Sequence, residues 1–146
     1  MSRVTFSPLA AGQHEVLRLA LAAALLPTDD LDLPGRAFFE LSDDQGPIGF
    51  VGIEGAGADR LLRSLVVLPS RKRMGHGGLL VAYAEATARQ DGVERVHLLT
   101  TTVAEFFHAR GYRAANRAKA PEAIRSTAQF SSLCPGSATY LVKELI

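Results

Sequence analysis

Leu65-Val66-Val67-Leu68-Pro69-Ser70-Arg71-Lys72-Arg73-Met74-Gly75-His76-Gly77-Gly78-Leu79-Leu80 is the stretch on which the fold turns. An apolar strand stops at Pro69, a basic loop follows, and glycines at 75, 77 and 78 open an amphipathic helix. The first N–H groups of a helix have no partner within it, and with the helix dipole they make a seat for a phosphate or pyrophosphate. Glycine lets such a ligand reach the main chain, and Arg71, Lys72 and Arg73 place cations beside it, where phosphate contacts are charge-assisted. No Gly-Lys-Ser/Thr sequence ends the loop, so it lacks the magnesium-holding part of a nucleoside-triphosphatase loop. A dinucleotide fold would carry its glycines after the first strand, and here they follow the fourth.

Outward from that loop, the pattern predicts a short first strand at 4–6 and a helix from about Gly12 to Leu26, stopped by Pro27. A capped loop then runs from Thr28 to Gly35. Strands are expected at 36–41 and 48–54 as a hairpin, then at 61–68, a run apolar enough to be buried on both faces. The helix after the glycines spans 76–90, with Leu79, Leu80, Tyr83 and Thr87 on one stripe and Asp91-Gly92 as its stop. A strand at 95–101, a helix at 102–110, a strand at 112–118, a short helix at 121–127 and a last strand at 138–145 complete the chain. Hairpins early and crossovers late imply one mixed α/β sheet with helices on both faces.

The 146 residues suit one domain, spanning 1–146, with its own core. Sixteen basic residues against fifteen acidic, a formal charge of +1, give no global field to draw nucleic acid or an anionic membrane. Cys134 is the single cysteine, which allows neither an intrachain disulfide nor a thiolate zinc cluster and favours a reducing cytoplasm. Leu17 to Leu26 is interrupted by Arg18 and far shorter than the ~20 residues of a bilayer span, so no membrane association is expected.

The quoted segment resembles the acetyl-CoA signature of the GNAT acetyltransferase family, V-x-P-x-x-R-G-x-G-x-G-x-x-L. Val67, Pro69, Gly75, Gly77 and Leu80 fall on its fixed positions, while Lys72 replaces the usual Arg or Gln and Arg73 the usual Gly. Leu98-Leu99-Thr100-Thr101-Thr102-Val103-Ala104-Glu105-Phe106-Phe107-His108-Ala109-Arg110-Gly111-Tyr112 resembles the family's N-x-x-A-x-x-F-Y-x-x-x-G-F, with Thr100 at the Asn position and Phe107 at the Tyr. Residues 62–65, 99–102 and 130–138 further resemble the GNAT proteins of bacterial arsenic-resistance operons. The resemblance implies a GNAT-like, mostly antiparallel sheet of about seven strands, splayed between the fourth and fifth. It also implies acetyl-CoA as cosubstrate without a metal, and a small-molecule amine as acceptor, an amino acid or arsenical amino acid included. A homodimer is compatible with it.

By the same resemblance, the pantetheine arm lies along Leu65, Val66 and Val67, the pyrophosphate on Lys72, Arg73, Met74, Gly75, His76, Gly77 and Gly78, and Thr100 and Phe107 border the cofactor. A tyrosine at 107 would protonate the departing thiolate; phenylalanine has no proton to give. The loss leaves open a non-catalytic acyl-CoA-binding domain as the alternative reading. His97, Glu54 and Glu105 are the candidate bases, each with a structural role as its competitor. Arg63 is expected as a carboxylate clamp, with Ser64 and Asp29 beside the acceptor; its competing role is a strand-end salt bridge. Cys134 reads as a small buried hydrophobe, since one thiol cannot chelate arsenic.

Overall fold

A computed structural model describes residues 3–72, 75–133 and 138–145. Seven strands form one sheet in the order β1-β2-β3-β4-β5-β7-β6: β1 (Thr5–Pro8), β2 (Arg36–Asp43), β3 (Gly46–Glu54), β4 (Asp59–Val67), β5 (Arg95–Thr100), β6 (Arg113–Ala114) and β7 (Thr139–Glu144). Every pairing is antiparallel except β4 with β5. Helices α1 (His14–Ala23), α2 (His76–Gln90), α3 (Ala104–His108) and α4 (Glu122–Arg125) flank it. None of the described helices is long and apolar enough to cross a membrane.

The two larger of three apolar clusters lie on opposite faces, the third gathering Leu61, Ala120, Ile124 and Tyr140. Leu17 and Leu21, four residues apart on α1, are fully buried with Leu31, Phe38, Phe50 and Val66. On the other face, Leu80, Val81, Ala84 and Ala88 of α2 pack with Leu62, Val96, Leu98, Phe107 and Tyr112. The β3–β4 pairing is close: a Cβ on Gly49 would lie 2.4 Å from the Val66 carbonyl oxygen, an approach that only glycine permits. Further along, Phe50 opposes Val66 and Gly52 opposes Arg63, so two residues of β4 face one of β3. The bulge is taken up at Ser64, which adopts a left-handed φ of 57°. Past it, successive side chains are re-aimed, Val66 towards α1 and Val67 towards α2.

Three elements depart from the pattern-based reading. The first helix ends at Ala23, because Leu25 turns left-handed and Leu25 and Leu26 donate back to the Ala22 and Leu21 carbonyls, closing the helix before Pro27 acts. The strand expected at 112–118 keeps only Arg113 and Ala114, since Asn116 accepts a hydrogen bond from the Ala118 N–H and winds 117–119 into a 3-10 turn. The helix expected at 102–110 begins at Ala104, because Thr100 Oγ1 accepts from the Val103 N–H and holds the preceding residues in a turn.

Candidate active site

Pairing of β4 with β5 covers only Asp59–Leu61 against Arg95–His97. Both strands run on, to Val67 and Thr100, without pairing to each other, so the β5-facing main-chain groups of residues 62–67 have no strand partner among the described residues. The gap opens a cleft of about 640 Å³ lined by Leu62 to Val67 on one wall and Leu98 to Val103 on the other. It runs between the two faces of the sheet, from the α2 side towards residues 24–27 and Asp29 after α1.

At the α2 end the residues fit a pyrophosphate. Gly75 caps α2 with φ 73°, a conformation that glycine takes without strain. The opening N–H groups of the helix, from His76 to Gly78, fall before its first internal hydrogen bond, Leu79 N–H to the Gly75 carbonyl at 3.1 Å. His76 donates from Nδ1 to the Arg71 carbonyl at 2.7 Å, bracing the loop rather than reaching outward. Lys72 is exposed and borders the cleft. Arg73 and Met74 lie outside the described residues. Arg71 corrects its expectation: its guanidinium turns away to Asp43 on the β2–β3 hairpin. A cation the sequence reading missed stands in for it. Arg110 stacks on Phe106, 3.8 Å from the ring centroid, and its Nη2 lies 2.6 Å from where a Gly78 Cβ would be. It therefore sits against the first turn of α2, brought there by the fold of α3.

At the other end stands a buried ionic network. The Arg63 side chain is fully buried; Nη1 and Nη2 each donate to Asp30 at 2.6 Å, Nη1 also to Glu54 at 2.8 Å, and Nε to Ser64 Oγ at 3.1 Å. With its amide oxygen facing the guanidinium, Gln129 accepts from Nη2 at 3.1 Å and Nε at 3.2 Å. Arg36 bridges the same acids, to Glu54 at 2.9 Å and Asp30 at 3.2 Å. Burial would raise the Asp30 carboxyl, but the Arg63 hydrogen bonds and the charges of Arg63 and Arg36 prevail and hold it below the ordinary range. Two corrections follow. Arg63 has no donor left to clamp a substrate carboxylate, and Glu54 is engaged by two guanidiniums and does not line the cleft. Asp29 and Ser64 do line the cleft, Asp29 as its one carboxylate among the described residues.

A splayed fourth and fifth strand over a glycine-opened helix finds its counterpart in known proteins. The family model described as Acetyltransferase (GNAT) domain matches residues 34–114, more than half of the chain and all of the cleft's strand walls. The chain belongs to the GNAT acetyltransferase family. No curated protein matches it.

Many solved structures share this fold, three of which illustrate it. One is the N-acetylglutamate synthase of Neisseria gonorrhoeae complexed with coenzyme A and N-acetyl-glutamate, with TM-score 0.81 and 19% identity over 100% of this chain and 36% of that one. Rv2747 of Mycobacterium tuberculosis, in complex with CoA, gives 0.79 and 17% over 97% and 99%. A GNAT acetyltransferase of Staphylococcus aureus gives 0.74 and 15% over 99% and 100%. The chain thus spans about a third of the synthase.

Groups able to give or take a proton are few along the described cleft wall. Thr100 and Phe107 both border the cleft, Phe107 buried against Phe106 and Tyr112. Tyr112 offers no substitute acid: its hydroxyl donates to Glu85 at 2.9 Å, and burial with that carboxylate pushes its ionisation up. Glu105 is exposed and does not line the cleft. His97 corrects its expectation as a base. It is 2% exposed, absent from the cleft wall, and held between Asp59, 2.7 Å from Nε2, and the Tyr140 hydroxyl, 2.7 Å from Nδ1. A carboxylate only accepts, so Nε2 carries the proton and Nδ1 accepts from Tyr140.

Burial outweighs the Asp59 hydrogen bond and lowers the His97 pKa. The unfolded chain therefore takes up a proton near pH 6.5 that the folded chain refuses, and stability falls as pH drops through that window. Urea unfolding should show a midpoint that declines from about pH 7 to 5 in the wild type. In His97→Gln this step should flatten; an unaltered slope would remove His97 from the account.

Proposed function

We propose that this enzyme transfers the acetyl group of acetyl-CoA directly to the primary amine of a small molecule, both being bound at once in the β4–β5 cleft. The observation that carries the reading is the unlike chemistry of the cleft's two ends. Lys72 borders one end, where Val67 of the cleft wall lies beside Gly77 in the opening turn of α2 and Arg110 packs against Gly78, and a short loop bearing Asp29 borders the other. Bound there, acetyl-CoA supplies an activated thioester.

The chain's own contribution is placement and polarity. Main-chain N–H groups of β4 near Val67 are available to polarise a carbonyl held in the gap, donors fixed in advance by the β3–β4 ladder. Asp29 attracts the ammonium form of the acceptor, whose proton passes to water before attack. The amine nitrogen then bonds to the carbonyl carbon as the carbon–sulfur bond breaks and the thiolate departs. Proximity supplies much of the rate.

An amino-acid acceptor is the second reading, favoured by the N-acetyl-glutamate in the gonococcal synthase structure. It requires a carboxylate-binding group other than Arg63, whose donors are spent on Asp30 and Glu54. An arsenical amino acid is supported by the sequence resemblance alone. A panel of simple amines, amino acids, arsenical amino acids and polyamines with acetyl-CoA, followed by free-thiol release, tests the reading. Thiol release with small amines supports it; thioester that stays intact with all of them, despite tight CoA binding, returns the chain to a non-catalytic CoA-binding role.

Phe107 supplies a second test. A free thiolate with a pKa of about 8.5 costs only about 2 kcal/mol more to release than the thiol at neutral pH, so no acid is obligatory. Phe107→Tyr should leave kcat unchanged or raise it a few-fold. A large loss would show that position 107 serves only to pack the cleft floor.

A further inference from the structure

Among the described residues, two that are not glycine adopt a left-handed backbone, Leu25 at φ 59° and Ser64 at φ 57°, and both line the same cleft. Ser64 has a local reason, the bulge that re-aims β4. Leu25 has none in its packing. It occupies the position after the C-cap of α1, where Leu26 donates to Leu21 at 2.9 Å and Leu25 to Ala22 at 3.1 Å. That closing motif asks for glycine, because a Cβ is strained there. The protein places a leucine instead, and leaves it 92% exposed. Neither backbone preference nor burial within the chain explains the choice.

Strained residues persist where they serve a site. We infer that Leu25 is a specificity-determining residue: its side chain supplies an apolar contact at the mouth of the cleft, and the acceptor is a primary amine with an aryl or branched alkyl body. The inference rests on the acetyl-transfer reading for its cosubstrate and names the acceptor class within it. Leu25 belongs to the loop after α1, on the face of the sheet opposite α2, so it meets the acceptor rather than the phosphates. Leu26 and Pro27 extend the same apolar rim, and Val103, 45% exposed, borders the cleft from the β5 side. Asp29, two residues beyond Pro27, is placed for the ammonium while the leucine covers the body.

The test uses two probe amines, phenethylamine and ethanolamine, with the CoA-loaded protein. Wild type should bind phenethylamine more tightly by calorimetry. Leu25→Gly should weaken that amine by about tenfold, the share of a leucine side chain that becomes half-buried, and leave ethanolamine and CoA unaffected. Because glycine relieves the strained backbone, the same variant should unfold at a higher urea concentration than wild type. Leu25→Asn, which tolerates the left-handed conformation, should lose the apolar preference in the same way. Equal or undetectable binding of the two amines, unchanged affinity in Leu25→Gly, or a lower unfolding midpoint would overturn the inference. Preferential binding to the CoA-loaded protein, with no thiol released when acetyl-CoA replaces CoA, would instead uphold the Leu25 contact and defeat the acetyl-transfer reading.

Discussion

Arg63→Ala should lower the stability of the fold by about 3–5 kcal/mol, and should not act as a selective defect in acceptor binding. The reason is what alanine leaves behind. Asp30 and Glu54, 3% and 7% exposed, would face each other with Arg36 as their remaining cation, and Ser64 Oγ and Gln129 would lose a donor. Removing one partner of a buried ion pair strands the other, which costs more than the pair itself contributes. Asp30 also ties the loop after α1 to β4 through both oxygens, so its release should loosen the acceptor end of the cleft. Urea unfolding measures the first effect. Arg63→Lys, which keeps one charge without the planar fork, should recover only part of it. A variant as stable as wild type, with a raised KM confined to carboxylated amines, would restore the clamp that the geometry argues against.

Gly77→Asp should abolish acetyl-CoA binding, a loss of about 3 kcal/mol or more and beyond a hundredfold in Kd. The substitution sets a carboxylate among the N–H groups that open α2, where an anion must come close. A Cβ at this position also lies 3.2 Å from Phe106 Cζ, so some packing cost accompanies it. Gly77→Ala carries that packing cost without the charge and separates the two effects. Calorimetry with CoA should find Gly77→Ala weakened modestly and Gly77→Asp silent. Equal affinity in all three proteins would move the pyrophosphate elsewhere.

What the sequence could and could not reveal follows range of interaction. Helix α2 is bounded at His76 and Gln90 by its own neighbours, a left-handed glycine before it and Asp91-Gly92 after it, so local pattern suffices. The β2–β3 hairpin is similarly local, closed by Asp44 and Gln45 between paired Asp43 and Gly46. Side-chain roles at the acceptor end depend instead on distant partners. Arg63 finds Asp30 33 residues away and His97 finds Asp59 and Tyr140 at 38 and 43, and nothing in their own segments announces those partners. Arg71 leaves its expected position, and Arg110 takes one nothing had assigned it, for the same reason: one is drawn to the hairpin Asp43, the other is carried to α2 by the turn of α3. At Leu25 the local rule fails outright, because a residue that disfavours the left-handed conformation adopts it, ending α1 three residues early.

The central claim is that one cleft holds acetyl-CoA and an amine together and joins them. Initial rates of thiol release, measured with acetyl-CoA and the best amine of the panel varied against each other, test it most directly. The account predicts double-reciprocal lines that intersect, as both substrates must be present before the carbon–sulfur bond breaks, with one acetylated amine formed per thiol released. Parallel lines, the mark of an acetylated protein formed before the amine arrives, would contradict it.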